Sequence, residues 1–513
     1  MKWNVIIPLL LFMAVVFCAG VWSNRKTDES KGFISSYFIG NRDFGGLLLA
    51  MTMVATYGSA SSFLGGPGAA YSIGLGWVLL AMIQVVTGYF VLLVLGKKFA
   101  IVARRYHAVT LVDFLKERYR SKTVVFLAAF SIIVFLFSSM AAQWIGGAYL
   151  IQSLTGLSYL ASLFIFTLSV LVYVVVGGYR AVVITDAIQG FVMVGGTLTL
   201  LIAVIVAGGG LPNLFEELVS INPNLVTPFG QDGQLTPLYV SSYWILVGVG
   251  VVGLPQIAVR AMAYRDAKAM HRAILIGTAV VGFIMLGMHL IGVFARPIMP
   301  GIEVADQVIP LVALEILPPW VAGVALSAPL AAIMSTVDSL LILVSSTVVK
   351  DVYINYVNPD AGSDFIKKFS MAVTGVIGAV TFLIAVSPPD LIIFLNLFAF
   401  GGLEAAFIWP IVLGLYWKYA NKTGAIAAMI AGMGSYIAIH FYNQSHPALF
   451  GVHTVTVPVF LSLVAFILFS LLTKGRPINS RKKISIRFEG KGMASDRAES
   501  PHAGFGGLET PFR

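Results

Sequence analysis

Eight consecutive residues, Ala55-Thr56-Tyr57-Gly58-Ser59-Ala60-Ser61-Ser62, set four hydroxyls and a phenol inside an apolar stretch, and Gly65-Gly66-Pro67-Gly68 follows closely. A later apolar stretch carries Gly248, Gly250, Gly253 and Pro255. Gly and Pro weaken a helix and free backbone groups from their partners. In hydrocarbon those groups must be met by protein, water or a bound solute. Paired interruptions in spans of opposite direction are the sequence mark of a solute site in an inverted-repeat transporter. Close helix packing is the better account of Gly68 or Gly253 taken singly. The crowding of hydroxyls goes further and makes Tyr57, Ser59 and Ser62 candidates for contact with a solute.

Ala332, Ser335 and Thr336 are spaced i, i+3, i+4 and share one helix face. Two hydroxyls and a nearby carbonyl are hard oxygen ligands of the kind that suits Na+. An unwound segment would add the carbonyls of Ala55 and Gly58. The same hydroxyls can bond back to their own helix, so the motif alone leaves both readings open. Asp186, Asp338 and Glu404 lie within or at the edge of apolar spans, where a charge costs roughly 2.5–3.5 kcal/mol and usually marks function. Asp338 is one turn beyond Ser335 and would flank a cation path. Asp186 is equally well read as a carboxylate at a helix N-terminus within reach of water. Glu404 stays open between a proton or solute group and a protonated carboxyl bonded to a neighbouring helix. His289 is expected to bond across to another helix. No phosphate loop, redox cysteine pair, metal spacing or nucleophile elbow accompanies these residues.

The elements that must position these groups follow from composition. The chain has 513 residues, 58% hydrophobic and only 11% charged. No soluble cores could hide that much apolar surface, whereas lipid can. Runs of apolar residues predict about thirteen spans of roughly 20 residues. Their cores are 4–22, 44–66, 75–96, 124–151, 158–177, 183–206, 240–259, 273–295, 319–348, 370–386, 391–416, 423–442 and 454–473. The net charge of +10 does not indicate nucleic acid, because Lys and Arg gather in alternate loops. These are Arg25, Lys26, Lys31 and Arg42, then a run from Lys97 to Lys122, then Arg180, then Arg260, Arg265, Lys268 and Arg272, and later Lys350, Lys367, Lys368, Lys418 and Lys422. Only Lys2 and Arg296 fall on the other side. The N-terminus is therefore expected outside and the C-terminus inside, with no Lys or Arg deep in a span. The first span is kept as a membrane helix, since it lacks the short core and cleavage site of a secretory signal. Cys18, the single cysteine, allows no internal disulfide. The amphipathic run Val304–Leu317 is predicted to lie flat on the outer surface, and the polar tail from about Ile478 to be disordered.

At the stretches Ala50–Gln84, Leu95–Leu115, Ala325–Tyr353 and Phe398–Trp417 the chain resembles the sodium/solute symporter family, and the likeness runs over roughly residues 1–475. The resemblance implies an all-α polytopic membrane protein built on two inverted five-helix repeats, with a leucine-transporter-like core. The expected divisions are 1–40 (extra helix and first inner loop), 41–238 (first repeat), 239–418 (second repeat), 419–475 (two further spans) and 476–513 (tail). It implies a Na+ site on the carbonyls of Ala55, Gly58 and Ala332 and the hydroxyls of Ser335 and Thr336, with Asp186 tied to sodium coupling. By position, Ser62, Gln84 and Gln143 match solute-facing places in sugar-carrying relatives. Relatives that carry proline have an Asp where this chain has Tyr57, and aromatics where it has Val247 and Val251, which argues against proline.

The function so implied is Na+-coupled import of pantothenate across the bacterial inner membrane, with no enzymatic step and no obligate protein partner. The solute's carboxylate would be met by the N–H groups of a broken half-helix. Another small carboxylate, an amino acid or a sugar remains the alternative solute. A solute-triggered sensor would need a folded output domain that the polar tail does not offer.

Overall fold

The computed structural model describes residues 3–24, 45–106, 108, 110–262, 266–389 and 391–473, with the side chains of 172–183 and a few others outside that description. Every regular element among the described residues is helical. Among the described residues, eight helices are long and apolar enough to cross a membrane, and two bent pairs raise the number to ten. That is fewer than the thirteen spans expected. Three shorter apolar helices, Leu75–Val86, Tyr159–Leu171 and Thr456–Leu472, lie where the remaining spans were read.

In chain order the elements used below are α1 (Trp3–Asn24), α2 (Gly46–Tyr57), α3 (Ser61–Ile73), α4 (Leu75–Val86), α5 (Leu111–Tyr119) and α6 (Lys122–Thr155). Next come α7 (Tyr159–Leu171), α8 (Ile184–Ala207), α9 (Pro237–Gly253), α10 (Pro255–Met262), α11 (Ala267–Ile298) and α12 (Val308–Ile316). The last are α13 (Pro319–Ile354), α14 (Ser363–Ala385), α15 (Ile392–Tyr416), α16 (Lys422–Asn443) and α17 (Thr456–Leu472). Helical hydrogen bonding joins α7 to α8 without a gap, across the segment read as a basic inner loop.

Burial sorts the helices. The apolar window of α13 is 94% buried and that of α15 is 72% buried, whereas those of α1 and α14 are 28% and 33% buried. Helix α13 carries Ser327, Ser335, Thr336, Asp338 and Ser339, polar groups that lipid cannot satisfy, so it takes the centre. Helices α1 and α14 present Leu10, Leu11, Val376 and Leu383 outward, as lipid-facing surfaces do.

Both predicted interruptions are present. The pair α2 and α3 bends by 66°, and the pair α9 and α10 by 50°. The first break falls at Gly58 and Ser59, the second at Leu254 just before Pro255, which has no N–H to carry the helix on. Small residues then hold the broken pieces close. A Cβ on Gly292 of α11 would lie 2.2 Å from the Pro67 carbonyl oxygen of α3.

The run Val304–Leu317 does not lie flat on the surface. Asp306, Val308, Ile309, Val312 and Ala313 are all buried, and Asp306 Oδ2 accepts from the Ile392 N–H at the start of α15, 3.0 Å away. The run is covered by α3, α6, α11 and α13. The basic residues Arg25, Lys26, Lys31, Arg42 and Arg265, the first inner loop and the tail lie outside the described residues, as does the side chain of Arg180.

Candidate functional site

The freed backbone at the first break has assigned partners. The Tyr57 carbonyl accepts from Ser62 Oγ at 2.8 Å, and Ser59 Oγ lies 3.1 Å from Ser62 Oγ. The Ala60 N–H donates to Gln143 Oε1 of α6 at 2.7 Å, while Gln143 Nε2 donates to the Ser139 carbonyl at 3.2 Å. The Ser62 and Phe63 N–H groups both reach the Ser59 carbonyl. These side chains do what unwound backbone requires in a water-poor interior. Ser59, Ser62 and Gln143 are therefore engaged with the break itself. The N–H groups opening α3, one of the half-helix ends expected to meet a carboxylate, are largely occupied. At the second break Thr87 Oγ1 donates to the Val247 carbonyl at 2.6 Å.

Two carbonyls at the first break turn to α13. Ser335 Oγ lies 2.9 Å from the Ala55 carbonyl oxygen and 3.1 Å from that of Ala332. Thr336 Oγ1 lies 2.6 Å from the Gly58 carbonyl oxygen and 3.0 Å from that of Ala332. The five oxygens read from the sequence thus converge, three carbonyls and two hydroxyls with no charge among them. Each hydroxyl has one proton and so donates to one of its two carbonyls at a time, the one on its own helix or the one at the first break. A hydroxyl has two lone pairs besides its proton. On arrival of a small hard cation, the protons can rotate aside and leave five oxygen ligands facing one point.

Beside this cage is a buried polar link that the sequence reading placed elsewhere. Arg260 was read as a loop residue, but it lies in α10 and is only 2% exposed. It donates to the Thr52 and Gln256 carbonyls, each at 3.2 Å, to Ser339 Oγ at 2.9 Å and to Asp186 Oδ2 at 3.1 Å. Thr52 Oγ1 donates to the same Asp186 oxygen at 2.7 Å. Asp186 is fully buried, so the reading of a water-washed carboxylate at a helix end is corrected. The charge pattern misled because α10 is a short half-helix that turns its basic residue inward toward the only carboxylate on α8. Ser339 continues the link to the cage, donating to the Ser335 carbonyl at 2.9 Å. Thr52, Ser339 and Thr87 were missed as isolated hydroxyls. Thr52 and Ser339 each stand one turn from a chosen residue, which was the available signal.

The other expected residues distribute as follows. Asp338 is fully buried on α13, one turn from Ser335. Tyr57 closes α2, and its hydroxyl has no partner among the described residues. Gln84 is half-buried at the 3-10 end of α4, a segment that packs against Trp244–Val249 of α9. Glu404 is fully buried on α15. Among the described residues His289 shows no bond to another helix: Nδ1 meets the Met285 carbonyl of its own helix at 2.6 Å, and the ring packs on Gly66, which leaves room for it.

Residues 37–432 match the sodium:solute symporter family. The chain is 47% identical over 488 residues to the sodium/pantothenate symporter of Haemophilus influenzae, covering 94% of this chain and all of that one. It is 48% identical over 469 residues to the sodium/pantothenate symporter of Escherichia coli, covering 91% and 96%. Its fold is similar to that of a Na+-coupled sialic acid symporter solved in a substrate-bound outward-open state, with a TM-score of 0.75 at 18% identity over 92% and 98% of the two chains.

Proposed function

The chain belongs to the sodium:solute symporter family, and from that premise we propose that it couples Na+ entry to import of pantothenate across the bacterial inner membrane. The observation that carries the coupling is the convergence of Ala55, Gly58, Ala332, Ser335 and Thr336 oxygens between a broken helix and the central one. The solute is taken from the sodium/pantothenate symporters that the chain matches almost end to end.

In this reading Na+ bridges α2 to α13 and holds the first break in one arrangement. A solute seated between the two breaks then favours closure, and one bundle rocks against the other to open the far side. The Arg260–Asp186 link joins α2, α8, α10 and α13 on one side of the cage, and it must part for that side to open. Residues 41–238 and 239–418 are the inverted repeats, with one broken pair in each. Pantothenate is an anion, so one Na+ per solute moves no net charge, and the membrane potential, worth about 2.3 kcal/mol per charge per 100 mV, contributes only if a second cation travels.

Reconstituted protein should take up labelled pantothenate when an inward Na+ gradient is imposed and not when K+ replaces Na+. Competition by proline or glucose, with none by unlabelled pantothenate, would reject the solute assignment.

A further inference from the structure

Glu404 stands where α15 crosses the second break. A Cβ on Gly250 would lie 2.4 Å from Glu404 Oε2, and one on Gly253 would lie 3.0 Å from the Glu404 Cα. The carboxyl therefore presses on the segment Gly250–Gly253, where α9 ends in a 3-10 turn, and only a glycine at 250 leaves space for it. Helix α15 also touches Ser61–Gly65 beyond the first break, so it borders both interruptions. The residue is completely buried, and neither carboxyl oxygen has a hydrogen-bond partner among the described residues. The Tyr57 hydroxyl is likewise buried and unpartnered. Buried polar groups are normally bonded, and one left orphaned calls for a ligand, an ion or water to complete it. A carboxyl offers acceptors, and in its protonated form one donor, so hydroxyl groups match it in either state. A second carboxylate matches only the protonated form, because two ionised acceptors repel, whereas hydroxyls serve both.

We propose that Glu404 is a specificity-determining residue that bonds the hydroxyl-bearing end of the solute, with the solute's carboxylate turned away from α15. The proposal rests on the pantothenate reading, since pantothenate carries two hydroxyls at one end and its carboxylate at the other. Binding to solvated hydroxyls alone would not discriminate, but a buried group built to bond them rejects an analogue that lacks them.

The test is displacement of labelled pantothenate from purified full-length protein at saturating Na+. The competitors are unlabelled pantothenate and N-(3,3-dimethylbutanoyl)-β-alanine, which is pantothenate with both hydroxyls replaced by hydrogen. Wild-type protein should prefer pantothenate by about 100-fold or more. Glu404→Leu should cut that preference at least about 10-fold, and Glu404→Gln about 3-fold, since it keeps an acceptor but loses the charge-assisted bond. The Na+ concentration for half-maximal binding should stay unchanged in both variants. A merely structural role would weaken both competitors alike and leave the ratio untouched, which overturns the proposal. If Glu404→Leu does not fold, an unchanged ratio in Glu404→Gln overturns it by itself. Absence of pantothenate binding and uptake in the wild-type protein overturns the symport reading and this inference together, whereas an unchanged ratio beside intact uptake overturns the inference alone.

Discussion

At Thr336 one hydroxyl stands between two carbonyls, Gly58 at 2.6 Å and Ala332 at 3.0 Å, on different helices. Removing that oxygen leaves both carbonyls and costs a cation one ligand of five. Thr336→Ala and Ser335→Ala should each raise the Na+ concentration for half-maximal uptake about 10-fold, roughly one charge-assisted contact, with little change in pantothenate affinity at saturating Na+. Uptake measured across a Na+ titration decides this, and unchanged Na+ dependence in both variants would remove the site. Asp306, outside the spans, gives a different prediction. Burial pushes its carboxyl up to about 7, with the Ile392 N–H pulling the other way. The folded chain then keeps a proton that the unfolded chain releases near the ordinary carboxylate value. Its contribution to stability is full at acid pH and is lost as pH rises through about 7. Asp306→Asn should lack this loss, so its melting temperature relative to wild type should climb between pH 4.5 and pH 8.

Among the elements, the broken pairs were legible because Gly, Pro and hydroxyls cluster at Ala55–Ser62 and Gly248–Pro255. What satisfies the breaks was not legible. Gln143 and Thr87 reach them from α6 and from the helix following α4, far away in sequence. The Arg260–Asp186 pair was hidden for the same reason, as its partners sit on four helices. Deleting one member strands the other charge in a dry interior. Arg260→Met should cost about 3–5 kcal/mol of stability, and adding Asp186→Leu should recover most of that loss. Thermal unfolding in detergent compares the single and double variants, and a double variant no better than the single one would refute the coupling. Close approach of α11 to α3 has its own test. Gly292→Val drives a branched side chain into the Pro67 carbonyl and should destabilise by about 1–3 kcal/mol or more.

For the whole molecule, the orientation read from Lys and Arg predicts which surfaces meet which solution. In a Cys18→Ser background, Asp232→Cys should react with an impermeant thiol reagent in intact cells. Asp360→Cys should react only after the membrane is opened; both positions are exposed. The reverse labelling pattern would invert the topology.

The sequence by itself determined that the chain is a bundle of apolar helices and where two of them break, while the meeting of oxygens at the first break stayed open on spacing alone and was implied by the family resemblance. The helices and their breaks are written in local composition, since apolar length, Gly and Pro act on the residues beside them. Tertiary structure alone decided that Arg260 turns inward to Asp186, that Gln143 serves the break, that one side of the Val304–Leu317 run is buried, and that Glu404 faces Gly250 with no hydrogen-bond partner among the described residues. Each of these depends on groups hundreds of residues apart or on short helices whose direction only packing sets. A sequence shows the donor and the acceptor, but the distance between them exists only in the folded chain.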